Sequence, residues 1–330
     1  MDALQWIRDN LEVRHVSAPE MYYQGDSQSG RQLPLIYTPF EVDNPSHWSD
    51  RGAALDFSMI AGPGRVLDFG PGDGWPSLIV APFVEEVIGV DGVQIRADIC
   101  TENARRIGAK NASFIHVRPG DPLPFEDESF DGVMASASIE DAHDPKATLQ
   151  EMYRVLKPGG ELRFAHGAFV EYRGLPPFTL DLQSDEERAS LGIWEVHLDE
   201  EWLRHTRLSL DLSRDQVVEV FHKHSVEPHD HVLPTKILED LHTHVTQAVC
   251  CYRSRPSGAT FIRWLKEIGF SSADATYEGR WFAAQLFHQI PESERPSDYH
   301  GIDELLRPLM PIIVSMAKPV EPDGAITATK

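Results

Sequence analysis

The chain has 330 residues, with 52 acidic side chains against 30 basic ones and a net charge of −22. At 41% apolar and 25% charged it can build an ordinary core, which excludes global disorder, and its negative excess repels phosphate backbones, which argues against a nucleic-acid partner. Cys100, Cys250 and Cys251 are too few for a disulfide framework, and no apolar run reaches the roughly 18 residues of a membrane span. With no signal-peptide pattern at the start, a cytoplasmic protein that engages no membrane is expected.

Residues 1–50 read as an N-terminal wrap, with a short amphipathic helix over 2–12, then turn-formers and prolines at 34, 39 and 45. Residues 51–171 alternate. A helix over 53–60 precedes a strand at 65–69, whose continuous apolar run suits burial on both faces. A helix follows over 76–84, with Pro76 in its first turn, where a missing N–H costs nothing. Next come a strand at 87–90 closed by Asp91, a helix over 98–107, strands at 112–116 and 130–135, a helix over 145–156 and a strand at 161–165. Such alternation predicts a doubly wound, mostly parallel α/β sheet covered on both faces. Residues 172–256 read as a mainly helical insertion after the fifth strand, with helices near 185–191, 198–206, 214–223 and 236–250, the third capped by Ser213. Residues 257–290 return to the core, with a helix over 259–268 stopped by Gly269 and strands at 274–279 and 281–288, seven strands in all. Residues 291–330 are expected to hold an apolar helix over 302–317 and, from Lys318, a tail that frays.

The densest signal is Val66-Leu67-Asp68-Phe69-Gly70-Pro71-Gly72-Asp73-Gly74, a strand running into a helix through three glycines. The glycines let the backbone turn tightly against a ligand, and the helix start offers unpaired N–H groups. The spacing is not that of a dinucleotide loop, which wants a glycine where Trp75 stands, nor of a phosphate loop, since no Gly-Lys-Ser/Thr follows. Asp68 would repel a pyrophosphate and suits a cationic ligand end. Asp91, closing the second strand, can accept the hydroxyls of a ribose. Gly120-Asp121 follows the third strand, and a carboxylate there can accept the exocyclic amine of adenine. Phe130 to Met134 opens the fourth strand, and Lys157-Pro158-Gly159-Gly160 leads into the fifth.

In this order and spacing the motifs resemble those of the class I S-adenosylmethionine-dependent methyltransferases, most closely the small-molecule branch of ubiquinone- and menaquinone-type enzymes. The resemblance covers about residues 60–170 and, more weakly, 257–290. It implies a Rossmann-like methyltransferase fold and S-adenosylmethionine as methyl donor. It also implies donor contacts for Asp68, Gly70, Pro71, Gly72 and Gly74 at the methionine part, Asp91 at the ribose, Gly92 and Val93 beside the adenine ring, Gly120 and Asp121 at the adenine, and Ser136 near the sulfonium. One departure stands out. Where many relatives carry a His in the run after the fourth strand, this chain has Asp141, and His143 comes two residues later.

Methyl transfer from a sulfonium needs a nucleophile roughly 3 Å from the methyl carbon, in line with the C–S bond, and sometimes a base. The insertion is the expected cover over a small-molecule acceptor. It is rich in histidine, since nine of the fifteen lie between 166 and 244. Three readings stand for them. They are solvated or capping groups, or a metal site for which His229 and His231 are the weak candidates, or an acceptor-side base, for which His166 after the fifth strand is the candidate. The leading expectation is an enzyme methylating oxygen, nitrogen or carbon. The alternatives are a non-catalytic donor-binding sensor or scaffold, and a protein methyltransferase. A homodimer stands as an option, since covers and wraps are often shared between subunits.

Overall fold

A computed structural model of the chain describes residues 3–18, 20–21, 33–34, 37–60, 62–167, 178–184, 188–227, 233–320 and 324–330. In chain order, α1 (Ala3–Asn10) and β1 (Val13–His15) come first. The alternating stretch holds α2 (Pro45–Ser58), β2 (Arg65–Phe69), α3 (Ser77–Val80), β3 (Glu86–Asp91), α4 (Gln94–Ile107), β4 (Ala112–His116), β5 (Phe130–Ser136), α5 (Pro145–Val155) and β6 (Leu156–His166). Next are β7 (Phe178–Ser184), β8 (Ala189–His197), β9 (Trp202–Leu210), α6 (Arg214–Lys223), α7 (Thr235–Leu241) and β10 (Val245–Ser254). The last elements are α8 (Gly258–Ile268), β11 (Ser272–Thr276), α9 (Gly279–Gln289), α10 (Tyr299–Leu306), α11 (Met310–Ser315) and β12 (Gly324–Thr329). The chain divides into two compact units, Met1–Gly25 with Phe169–Arg255 and Asp26–Ala168 with Pro256–Lys330.

The larger unit is built on a seven-stranded sheet of order β11-β12-β6-β5-β2-β3-β4. The pairs β2·β3, β2·β5, β3·β4 and β5·β6 are parallel, whereas β12 runs antiparallel to both β6 and β11. Alternation along the strands splits the sheet into two buried faces. Leu67, Val133, Ala135, Leu162 and Phe164 pack against α5 and α8 through Leu149, Met152, Phe261 and Leu265. Val66, Val87 and Met134 pack against α2 and α3 through Ala53, Ala54, Phe57, Ile79 and Val80.

Across that second face runs a buried polar cluster. Arg163 of β6, 2% exposed, makes an ion pair with Asp56 of α2, itself 3% exposed. Its guanidinium also donates to Thr276 Oγ1 at 2.7 Å, Thr327 Oγ1 at 2.6 Å and Tyr277 O at 2.9 Å, while Asp56 Oδ2 accepts from Gly279 N at 2.6 Å. Five elements thus meet on one charge pair.

Three expectations for this unit are corrected. Residues 281–288 are not a strand but lie in α9. There Gly279, Ala283 and Phe287, spaced by four, form the buried stripe of a helix. The seventh strand is instead β12, and the tail does not fray. Backbone bonds Gly159 N→Lys330 O and Lys330 N→Gly160 O, each 3.0 Å, and Lys330 Nζ donating to Leu156 O at 2.7 Å, pin its end. The apolar segment expected at 302–317 is two short helices, α10 and α11.

The smaller unit corrects the helical insertion. It is a five-stranded sheet of order β1-β10-β9-β8-β7, antiparallel except where β1 pairs with β10. The segment expected as a helix at 198–206 is largely β9, because Leu203, His205 and Arg207 alternate with Trp202, Arg204 and Thr206 across the two faces of the sheet, whereas that at 236–250 is helical as far as His244 and only its remainder belongs to β10. Two helices stand where expected, α6 and, over the first part of 236–250, α7. Ser213 caps α6, its side chain accepting from Gln216 N while Gln216 Oε1 accepts from Ser213 N in return. Leu4 and Ile7 of α1, with Phe221 and Leu238, cover the inner face of this sheet.

Candidate functional site

Every loop assigned to the donor leaves the same edge of the seven-stranded sheet, the edge at the carboxyl ends of the parallel strands. Along it stand Gly120-Asp121 after β4, Asp91 at the end of β3, Gly70 after β2, Ser136 at the end of β5 and His166 at the end of β6. Open α/β sheets bind ligands along this edge, where strand order reverses, and here the order reverses between β2 and β5.

The glycine loop is held from below. Gly70 has φ +73°, and a Cβ there would run into the side chain of Ser138, whose hydroxyl donates to Phe69 O. Gly72 has φ +62°, and a Cβ on it would meet nothing within 4 Å, so the loop is open on that side. Cys100 and Asn103, one turn apart on α4, donate to the loop carbonyls of Gly72 and Asp73 at 3.2 and 2.8 Å. These two side chains orient the loop, and no spacing in the sequence announced them.

Asp68 is fully buried. Its Oδ2 accepts from Ser77 N at 3.0 Å and from the Ser77 hydroxyl. Its Oδ1 has no partner among the described residues. Burial raises its pKa to about 7 against the lowering by the Ser77 bonds, with the Asp91 charge raising it further. Asp91 accepts from Val93 N at 2.8 Å, and burial raises its pKa to about 6, opposed by the Val93 bond and by Arg96. Asp121 is exposed, and Gly120, at φ +91°, lies against the ring of His143, whose Cδ2 would be 3.3 Å from a Cβ there. His143 thus belongs beside the Gly120-Asp121 loop.

His166 is 5% exposed, packed 5.2 Å from the Phe261 ring and 6.1 Å from Phe164, with Nδ1 unpartnered among the described residues. Burial first, and Lys318 second, lower its pKa to about 4. It is a neutral imidazole at neutral pH. His229 and His231 lie outside the described residues. The other His-x-His pairs diverge. His224 Nε2 faces Asp240 at 3.0 Å and His222 faces Glu227 at 3.5 Å, while His244 bonds Asp211 at 2.9 Å and His242 meets Trp6 edge-on. Cys250 and Cys251 are buried, form no disulfide, occupy successive positions of β10 and so point to opposite faces. Among the described residues no three His, Cys, Asp or Glu side chains are grouped to hold a metal, and no helix is long and apolar enough to cross a membrane.

A cavity is lined by Trp75, which follows the glycine loop, and by Ser136, Ala165, Glu278 and Arg280 among others. The Arg280 guanidinium lies 5.5 Å from the centre of the Trp75 ring. Burial raises the pKa of Glu278, opposed by Lys318 and Arg163.

The sheet order, the antiparallel β12 and the glycine loop between two strand-end aspartates resemble the arrangement expected of a class I S-adenosylmethionine-dependent methyltransferase domain. Residues 67–164 match the family described as methyltransferase domain. The chain is 31% identical over 121 residues to the ubiquinone/menaquinone biosynthesis C-methyltransferase UbiE of Geotalea daltonii, covering 35% of this chain and 52% of that one. It is 32% identical over 152 residues to the uncharacterized methyltransferase YcgJ of Bacillus subtilis, covering 44% and 60%. A solved S-adenosylmethionine-dependent methyltransferase of Clostridium acetobutylicum aligns at 12% identity over 89% of this chain and 93% of that one, with a TM-score of 0.48. The chain thus spans between about half and three-fifths of these two curated relatives.

Proposed function

We propose that the protein methylates a small molecule at oxygen, nitrogen or carbon, with S-adenosylmethionine as donor. The observation that carries the reading is the open glycine loop at Gly70–Gly74, flanked by an orphaned buried carboxylate oxygen of Asp68 and by Asp91 on the neighbouring strand. These residues fit a cationic nucleoside. The orphaned oxygen suits positive charge, the bare side of Gly72 leaves room, and Asp91 offers an acceptor for ribose hydroxyls.

When bound, the donor supplies an activated methyl group, so the protein's task is placement. Asp68, Gly70, Pro71, Gly72 and Gly74 would hold the methionine part, Asp91 the ribose, and Gly92, Val93, Gly120 and Asp121 the adenine. Ser136, at the end of β5, would border the reacting end. His166, neutral and inside the wall, is assigned a hydrogen-bonding role toward the acceptor, because a pKa near 4 makes it a weak base at neutral pH. The inserted unit leaves the chain after β6, and we assign it acceptor recognition. The name of the Geotalea daltonii relative favours carbon as the attacking atom.

The test pairs calorimetry with transfer. S-adenosylhomocysteine is expected to bind with micromolar affinity, and label from methyl-labelled donor to enter the small-molecule fraction of a cell extract. Absence of binding overturns the reading. Binding without transfer would leave a donor sensor, and label in macromolecules would make the chain a protein methyltransferase.

A further inference from the structure

The cradle described so far is acidic throughout. Asp68, Asp73, Asp91 and Asp121 face or underlie it, yet the donor's amino-acid end carries a carboxylate as well as an ammonium. That carboxylate needs a cation. Arg163 is committed to Asp56, and Arg51 is held by both oxygens of Asp303. Arg96 is 7% exposed and acts on Asp91.

Arg280 differs from these. It is exposed, it sits over Trp75, the residue that follows Gly74, and it lines the same cavity as Trp75, together with Glu278 and Ser136. Chain topology explains how it comes there. β11 lies at the far end of the sheet, but the chain after it turns back across the sheet face into α9, which packs along α2. The Asp56–Gly279 bond locks that return. Residues about 200 positions away in sequence are thereby set against Trp75, the residue that follows the glycine loop.

We propose that Arg280 and Glu278 hold the amino-acid end of the donor, the guanidinium on its carboxylate and the Glu278 carboxylate on its ammonium. The inference rests on the methyltransferase reading above and adds two binding residues to it. A cation and an anion two residues apart, in one cavity that Trp75 also lines, are the complement of an α-amino acid. Trp75 fixes the guanidinium from its other side through a cation–π contact.

The experiment compares S-adenosylhomocysteine with 5′-methylthioadenosine, a nucleoside probe without an amino-acid end, by calorimetry on the full chain. Wild type should bind the first more tightly. Arg280→Met and Glu278→Gln should each weaken S-adenosylhomocysteine by about tenfold or more, as loss of a charge-assisted hydrogen bond requires, and leave 5′-methylthioadenosine unchanged. Arg280→Lys should recover part of the loss, and it serves as the second variant if Arg280→Met does not fold. Unchanged S-adenosylhomocysteine affinity, equal weakening of both probes, or a wild type that does not distinguish them would each overturn the proposal. A wild type that binds neither probe would instead remove the donor site itself.

Discussion

Asp91 carries the ribose assignment, and its titration makes that assignment measurable. Its pKa rises from 3.8 to about 6 in the folded chain. Ribose hydroxyls donate best to the ionised carboxylate, so the share of donor affinity that Asp91 carries should fall as pH drops through 6, by at most about tenfold per unit, while Asp68, raised to about 7, adds its own fall at higher pH. Calorimetry with S-adenosylhomocysteine between pH 5 and 8 checks this, and Asp91→Asn should remove the step near pH 6, leave the one that belongs to Asp68, and lower affinity at pH 7.5. At this scale the motif residues were legible in the sequence because they are local. Asp68, the glycines and Asp91 follow the ends of adjacent strands at short spacing. Cys100 and Asn103 under the loop, and Glu278 and Arg280 in the cavity with Trp75, were not, since only tertiary packing brings them there. His166 was placed correctly at a strand end, but nothing in the sequence told that Phe261 would bury it.

Elements were legible where one period ruled. Strands at 65–69 and 112–116 fall where the apolar runs predict, and α6 begins at its Ser213 cap. The insertion misled because its strands mix His, Arg and Trp, so that alternation is masked by polar residues on both faces. Residues 324–329 misled because Gly-Ala-Ile-Thr-Ala-Thr is small and carries little apolar signal, although Ile326 is fully buried. The polar cluster on Arg163 joins β6, β11, β12, α2 and α9. Asp56→Ala would leave its guanidinium buried without a counter-charge and should cost about 3–5 kcal/mol in denaturant unfolding. The double change Asp56→Leu with Arg163→Met should cost clearly less. Equal losses would mean that the pair contributes shape rather than charge balance.

At the level of the whole molecule the two units should respond differently to acid. In the smaller one His205 is 3% exposed and stacked on Trp194 at 3.6 Å, and burial, with Arg207 and Arg253, lowers its pKa to about 3. A histidine whose folded pKa is depressed binds fewer protons than the unfolded chain, so its contribution to stability is intact above about pH 6.5 and declines as pH falls toward 3. In the larger unit His166 acts in the same sense, down to about pH 4. Asp68 and Asp91 act oppositely there, because their raised values make the folded state bind more protons, and they lose stability as pH rises from about 4 to 6–7. Acidification from pH 7 to 4.5 should therefore loosen β8–β10 before β2 and β3. Hydrogen exchange, corrected for intrinsic rates, reads this, and earlier loss of protection in β2 and β3 would contradict it.

The position of β12 has a consequence for synthesis on the ribosome. The smaller unit ends at Arg255, so a nascent chain can form it while translation continues. The larger sheet has a vacancy between β6 and β11 until residues 324–329 emerge. Until then two neighbouring edges stay unpaired, and any chaperone that shields the growing polypeptide has that gap to guard.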